Sequence, residues 1–134
     1  MSASGRRPPR RAAALLLAAE ALLGLAWTVA LVLREDLGSA FLPPDVPPRL
    51  IRTFLAADAV FYVVLPAAAA AGFARGAPWA RATLLLHAGA VSYAFLWGLG
   101  LLVVTGHGAA GTALMAGPVV LSAVLLRRQD AARA

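Results

Sequence analysis

Apolar residues dominate four long stretches of the chain, at about residues 12–33, 52–74, 79–104 and 109–126, and the polar residues gather between them. Each run is about 20 residues or longer, the length a helix rising roughly 1.5 Å per residue needs to cross a hydrocarbon layer ~30 Å thick. The pattern therefore predicts an all-α integral membrane protein, a bundle of four transmembrane helices spanning 12–127. A basic arm over 1–11, expected to be disordered, precedes the bundle, and a short tail over 128–134 follows it.

The breaks between the runs carry the residues that end helices. Residues 34–51 hold Pro43-Pro44 and Pro47-Pro48, and proline fixes φ, removes a donor and biases its predecessor to extended geometry. This longest connection is expected at the interface or outside. Arg75-Gly76-Ala77-Pro78 makes the second turn, and the Gly-bearing 105–108 is so short that the third and fourth spans must be antiparallel neighbours. Pro66 falls inside the second span. It should kink that helix, and lipid tolerates the freed carbonyl only where a neighbour resupplies a hydrogen bond. The first run is too long for a secretory h-region and is interrupted by Glu20, so it is read as a retained span.

Composition agrees with the pattern: 61% of residues are hydrophobic and 13% charged, roughly half the charged share of a soluble domain. All twelve basic residues are arginine and cysteine is absent, which excludes disulfides, thiolate metal sites and thiol redox chemistry. The arginine and alanine bias looks like GC-rich coding, and a bacterial inner membrane is the expected setting. Nine arginines flank the spans on the side of the termini and the 75–81 turn, against Arg34, Arg49 and Arg52 on the other. The positive-inside rule then places both termini in the cytoplasm. That asymmetry explains the net charge of +6 through anionic lipid and leaves no role for nucleic acid.

Three ionisable groups interrupt the apolar runs. On a common depth scale Glu20 and His87 both lie roughly 11 to 12 Å from the cytoplasmic edge, so they can meet if their helices are neighbours. Burial disfavours a carboxylate and a nearby histidine favours it, which would let such a pair share one proton between two states. The alternative is a neutral, hydrogen-bonded Glu20 that ties helices together. Asp58, with Phe54 and Tyr62 four residues to either side, forms a stripe that should face the bundle, near the depth of Tyr93. An inner Glu20/His87 layer and an outer Asp58/Tyr93 layer are expected. Ala90, Ala94 and Gly98 form a small-residue stripe, and Tyr93 and Trp97 beside a carboxylate are candidates to bind an organic cation or a flat apolar molecule, the alternative being that Trp97 and Trp79 are interfacial anchors.

Other chemistries find little support. His87 and His107 are twenty residues apart with no Glu-x-x-His pair, so no metal site is expected, and no cofactor is implied. Ser92 and Ser122 lack a nucleophile-elbow context. The stretch Tyr93-Ala94-Phe95-Leu96-Trp97-Gly98-Leu99-Gly100, with the single Glu20 in the first span, resembles the small multidrug resistance exporters. The resemblance implies proton exchange at Glu20 for a cationic substrate, with third-span aromatics lining the site. This chain departs in its long proline-rich first loop, in its Tyr-to-Trp spacing, and in Asp58 and His87, which have no place in that pattern.

The residues thus support a lipid- or small-molecule-binding membrane protein or accessory subunit, taking a small apolar or cationic ligand and associating with lipid, with further copies or with a partner membrane subunit. The second reading is a proton-coupled carrier using Glu20, assisted by His87 and Tyr93, with Asp58 at its outer entrance. A membrane-embedded isomerase or cyclase is the third.

Overall fold

The computed structural model describes residues 8–131; residues 1–7 of the arm expected over 1–11, and the tail end over 132–134, lie outside the described residues. Helix α1 (Pro8–Leu33) opens with the Pro8-Pro9 pair, four residues earlier than the apolar pattern suggests. Prolines fit a first helical turn because the N–H they lack has no intrahelical partner there. Two 3₁₀ helices, Glu35–Ala40 and Pro48–Phe54, wind through the proline-rich connection, and the second feeds directly into the next span. That span is composite: α2 (Leu55–Ala59), a π-helical turn (Val60–Val64) and α3 (Leu65–Arg75). Helices α4 (Ala80–Thr105) and α5 (Ala109–Ala131) complete the chain. Four helices, Arg10–Leu33, Pro48–Arg75, Ala80–Thr105 and Ala109–Ala131, are long and apolar enough to cross a membrane.

The turns follow from glycine. Gly76 takes φ 66° at the end of α3, with Ala77 N–H bonded to Gly72 O at 2.9 Å and Gly76 N–H to Phe73 O at 3.2 Å, a Schellman closure. Gly106 ends α4 at φ 73° with a single bond to Leu102 O. Both tight turns reverse the chain, so the helices run up and down. Successive spans pack side by side: α1 on the α2–α3 rod, the rod on α4, and α4 on α5.

Side chains from four helices meet at the end of the bundle that carries the termini. Ala13 and Leu17 of α1, Ala69 and Phe73 of α3, Leu84 of α4 and Leu125 of α5 form one buried cluster. Small residues let the backbones close up here, and Gly72 is bounded by Trp79 and Ala80. Outward faces are the reverse of a soluble protein: Leu22, Leu23, Leu86, Leu96, Val103 and Val104 are each more than half exposed. Exposed apolar area on every span is what a lipid solvent permits and water does not.

The π turn is the local consequence of Pro66. In a regular helix its ring would clash with the carbonyl of Tyr62, four residues earlier. Widening the turn relieves this clash and shifts the pairing, so that Leu65 N–H bonds the Val60 carbonyl. The next π bond would run from residue 66 to Phe61, and proline has no N–H to make it. Phe61 C=O is thereby left without its helical donor.

Candidate functional site

His87 supplies the missing donor. It projects from the inner face of α4, fully buried, with Nδ1 2.9 Å from Phe61 O. A carbonyl can only accept, so Nδ1 carries the proton and donates it. The other ring nitrogen, Nε2, lies 3.0 Å from Glu20 Oε1. One proton must then lie between Nε2 and Oε1: either Glu20 is protonated and donates to the imidazole, or the imidazolium donates to a carboxylate. The pair has no net charge in either state. Such neutrality is what makes a buried carboxyl tolerable in apolar surroundings.

The Glu20 carboxyl has its second oxygen on the other side. Its side chain is only 10% exposed, and Oε2 is buried with no hydrogen-bond partner. Glu20 lines a cavity of about 750 Å³ between α1, the α2–π segment and α5. The floor is the terminal-end core, shared through Leu121, which both packs on that core and lines the cavity. Exposed Leu16, Leu23 and Leu114 stand on its rim. Asp58 and Tyr62 add the other ionisable groups of the wall, and Tyr62 Oη is buried without a partner as well. Among the described residues, no Arg, Lys or His lines the cavity.

The loop between α1 and α2 closes the far end. Phe41 meets Trp27 of α1 edge-on, with ring centroids 5.2 Å apart. Its ring also occupies the place where a side chain at Gly111 of α5 would sit. One aromatic residue therefore bridges the two helices that flank the cavity, and Ile51 lines the wall beside it. Loop-end electrostatics are local: Arg34 holds Asp36 in a two-pronged ion pair at 2.7 and 2.9 Å. The Arg34 guanidinium keeps the Asp36 carboxyl below the usual range through that hydrogen bond, while Asp36 raises Arg34.

Of the residues singled out in the sequence, Glu20 and His87 are in direct contact, and Asp58 lines the same cavity as Glu20. Tyr93 and Trp97 are elsewhere. The buried face of α4 is set by Leu84, His87, Val91 and Gly98, whose three- and four-residue spacing leaves Tyr93 on the outward side, 68% exposed. The outer Asp58/Tyr93 layer expected from depth alone does not form, because equal depth does not specify rotation. Trp97 meets Phe54 in a tilted ring contact with centroids 5.3 Å apart, away from the cavity. Tyr62, not Tyr93, is the tyrosine beside Asp58 in the cavity wall, and the four-residue stripe through Phe54 and Asp58 already contained it. Phe41 carried no signal in the sequence.

The third-span aromatics thus do not line the site as the exporter-like stretch implies. Among the described residues no group of three or more His, Asp or Glu is gathered as a metal would need. Comparison with protein-family models, curated proteins and solved structures returns no match.

Proposed function

We propose that the chain is a multi-pass membrane protein that binds one small, mainly apolar molecule or lipid in the cavity between α1 and α5, with Glu20 as its recognition group. The observation that carries this is Glu20, paired with His87 and 10% exposed, on the wall of about 750 Å³ of mainly apolar space. A volume of that size suits a single drug-sized occupant. The orientation that fits the arginine distribution has both termini in the cytoplasm; among the described residues, Arg10, Arg11, Arg75, Arg81, Arg127 and Arg128 lie at that end. The cavity then runs from the level of Leu16 and Leu121 toward the outer loop at Phe41 and Ile51.

A filled cavity tests the reading. Gly117 lines the cavity, and a side chain added there meets nothing within 4 Å. Gly117→Trp should therefore fold and occupy the ligand's space. Mass spectrometry of purified protein in lipid nanodiscs should find a retained small molecule with the native chain and not with Gly117→Trp. Identical lipid profiles from both would remove the cavity from function.

The one-proton Glu20–His87 pair favours a second reading, proton-coupled transport. A ligand bound beside Glu20 would change where the shared proton sits. Ligand-dependent proton flux in liposomes, lost in Glu20→Gln, would support it, whereas absence of flux leaves binding alone.

A further inference from the structure

Glu20 brings no net charge to the cavity wall, because the proton it shares with His87 keeps that pair neutral. Asp58 is the other carboxyl on the wall, and its situation differs. It is half-buried, and among the described residues it makes no hydrogen bond or ion pair. Its oxygens are not sealed inside the protein as Glu20 Oε2 is. Arg52, earlier on the same span, turns to Val32 O at 3.3 Å. A carboxylate in such a place lacks its counter-charge, which is costly in apolar surroundings. The level of the charge follows from packing: Gly24 abuts the Tyr62 backbone, so one turn toward the outer loop on these antiparallel helices brings Thr28 and Asp58 together in height. Trp27 stands in the wall at that level, and Thr28 has already given its hydroxyl proton to Gly24 O. From there to Leu16 the α1 side of the cavity runs for about 18 Å at 1.5 Å per residue, more than half a hydrocarbon layer ~30 Å thick.

We propose that the cavity holds a single-chain lipophilic amine, its ammonium head paired with Asp58 beside the Trp27 ring and its apolar chain running toward Leu16 and Leu121. This rests on the cavity reading above and names the charge and shape of the ligand. An ammonium supplies Asp58 with a hydrogen-bond donor and a counter-charge together, whereas a hydroxyl supplies only the donor and a carboxylate neither. The indole face adds a cation–π contact. A phosphate carried next to the ammonium would meet no basic residue on the wall, which sets a free amine apart from an ethanolamine phospholipid. Entry is from the lipid: α1 and α5, which flank the cavity, do not pack side by side, and Leu16, Leu23 and Leu114 on its edge are exposed.

Trp27 lines the cavity and reports occupancy. The chain has three tryptophans, so Trp79→Phe with Trp97→Phe leaves Trp27 as the only indole. In phosphatidylcholine nanodiscs, the probes are a long-chain primary amine brominated on its chain and the alcohol and carboxylic acid of the same chain, each read by saturable quenching of Trp27. The amine should bind about tenfold tighter than the alcohol, the ratio expected for a hydrogen bond to a charged group, with the acid weakest. That comparison needs no variant at Asp58. Asp58→Asn, nearly the same in shape, should bring the amine level with the alcohol and leave alcohol binding unchanged. A preference lost in Glu20→Gln and kept in Asp58→Asn would overturn the assignment to Asp58. Displacement of the amine by an ethanolamine phospholipid would overturn the free single-chain amine. Equal binding of all three heads to the native wall would overturn the ammonium and leave the cavity reading intact. No quenching by any probe would overturn both.

Discussion

If His87 exists to satisfy the carbonyl that Pro66 orphans, changing one residue should alter the cost of changing the other. His87→Leu keeps an apolar side chain of similar bulk in a fully buried position but removes the donor to Phe61 O and the partner of Glu20 Oε1. Interhelical hydrogen bonds in membranes average about 0.6 kcal/mol and reach about 1.7, while an orphaned buried group costs about 1–3 kcal/mol. Losing both bonds should therefore destabilise the bundle by about 2–4 kcal/mol. Pro66→Ala restores an N–H one turn beyond Phe61 and Tyr62. In the His87→Leu background that donor can close the helix again, recovering about 1 kcal/mol relative to additivity. Reversible unfolding in mixed detergent–SDS micelles measures all four corners of the cycle. Additivity within about 0.5 kcal/mol would refute the link between proline and histidine. So would a His87→Leu cost below about 0.5 kcal/mol.

Gly24 faces the backbone of Tyr62, and its added Cβ would run into the Tyr62 carbonyl; Gly24→Ala should push α1 off the π turn at a cost of about 2 kcal/mol or more, and an unchanged unfolding midpoint would contradict that packing. Phe41→Ala removes the bridge between Trp27 and α5, so Trp27 emission should shift red and become more accessible to acrylamide, with unaltered quenching counting against a closed loop end. Because Arg34 depresses the Asp36 carboxyl, their pairing stabilises the loop above the ordinary aspartate range and is lost as pH falls through the lowered value; NMR titration of Asp36 should place its midpoint below about 3.9 and Arg34→Gln should return it upward, whereas an undisplaced titration would refute the pair.

How much of this was visible in the sequence depends on what each signal encodes. Four apolar runs bounded by Arg75-Gly76 and Thr105-Gly106 mark four long helices and two tight turns, because run length and glycine caps are local properties. Glu20 and His87 could be placed at one depth by counting residues, and the structure joins them at 3.0 Å. Tyr93 failed by the same arithmetic. Depth follows from rise per residue, but the face a residue presents follows from what the helix packs on, and α4 is nearly uniformly apolar around its circumference. A helix with no polar stripe gives the sequence no rotational signal. The π turn was likewise out of reach in form, although Pro66 made some repair of its neighbourhood predictable. Phe41 belongs to a loop whose path is set by tertiary contacts with Trp27 and Gly111, which no local propensity describes.

The strongest structural alternative treats Glu20 and His87 as interhelical glue, and the geometry accounts for half of the pair in those terms. Pro66 forces the wide turn, the turn bares Phe61 O, and His87 covers it; that sequence of causes needs no ligand. A glutamine donating its amide N–H to Nε2 could complete such a joint without a carboxyl. What glue does not explain is where the other oxygen goes. A carboxyl used only for bonding would be cheapest with Oε2 turned to a second donor, yet Oε2 is buried and unpartnered, as is the Tyr62 phenol oxygen, and both residues line a cavity of about 750 Å³. Two unpaired polar atoms cost stability. The core closes tightly around Leu17 and Leu84 just beyond that level, so the chain packs densely where nothing polar intervenes. The vacancy beside Glu20 is therefore not a general failure to pack. This space beside Glu20, rather than the proton pair alone, is the feature on which the proposed function rests.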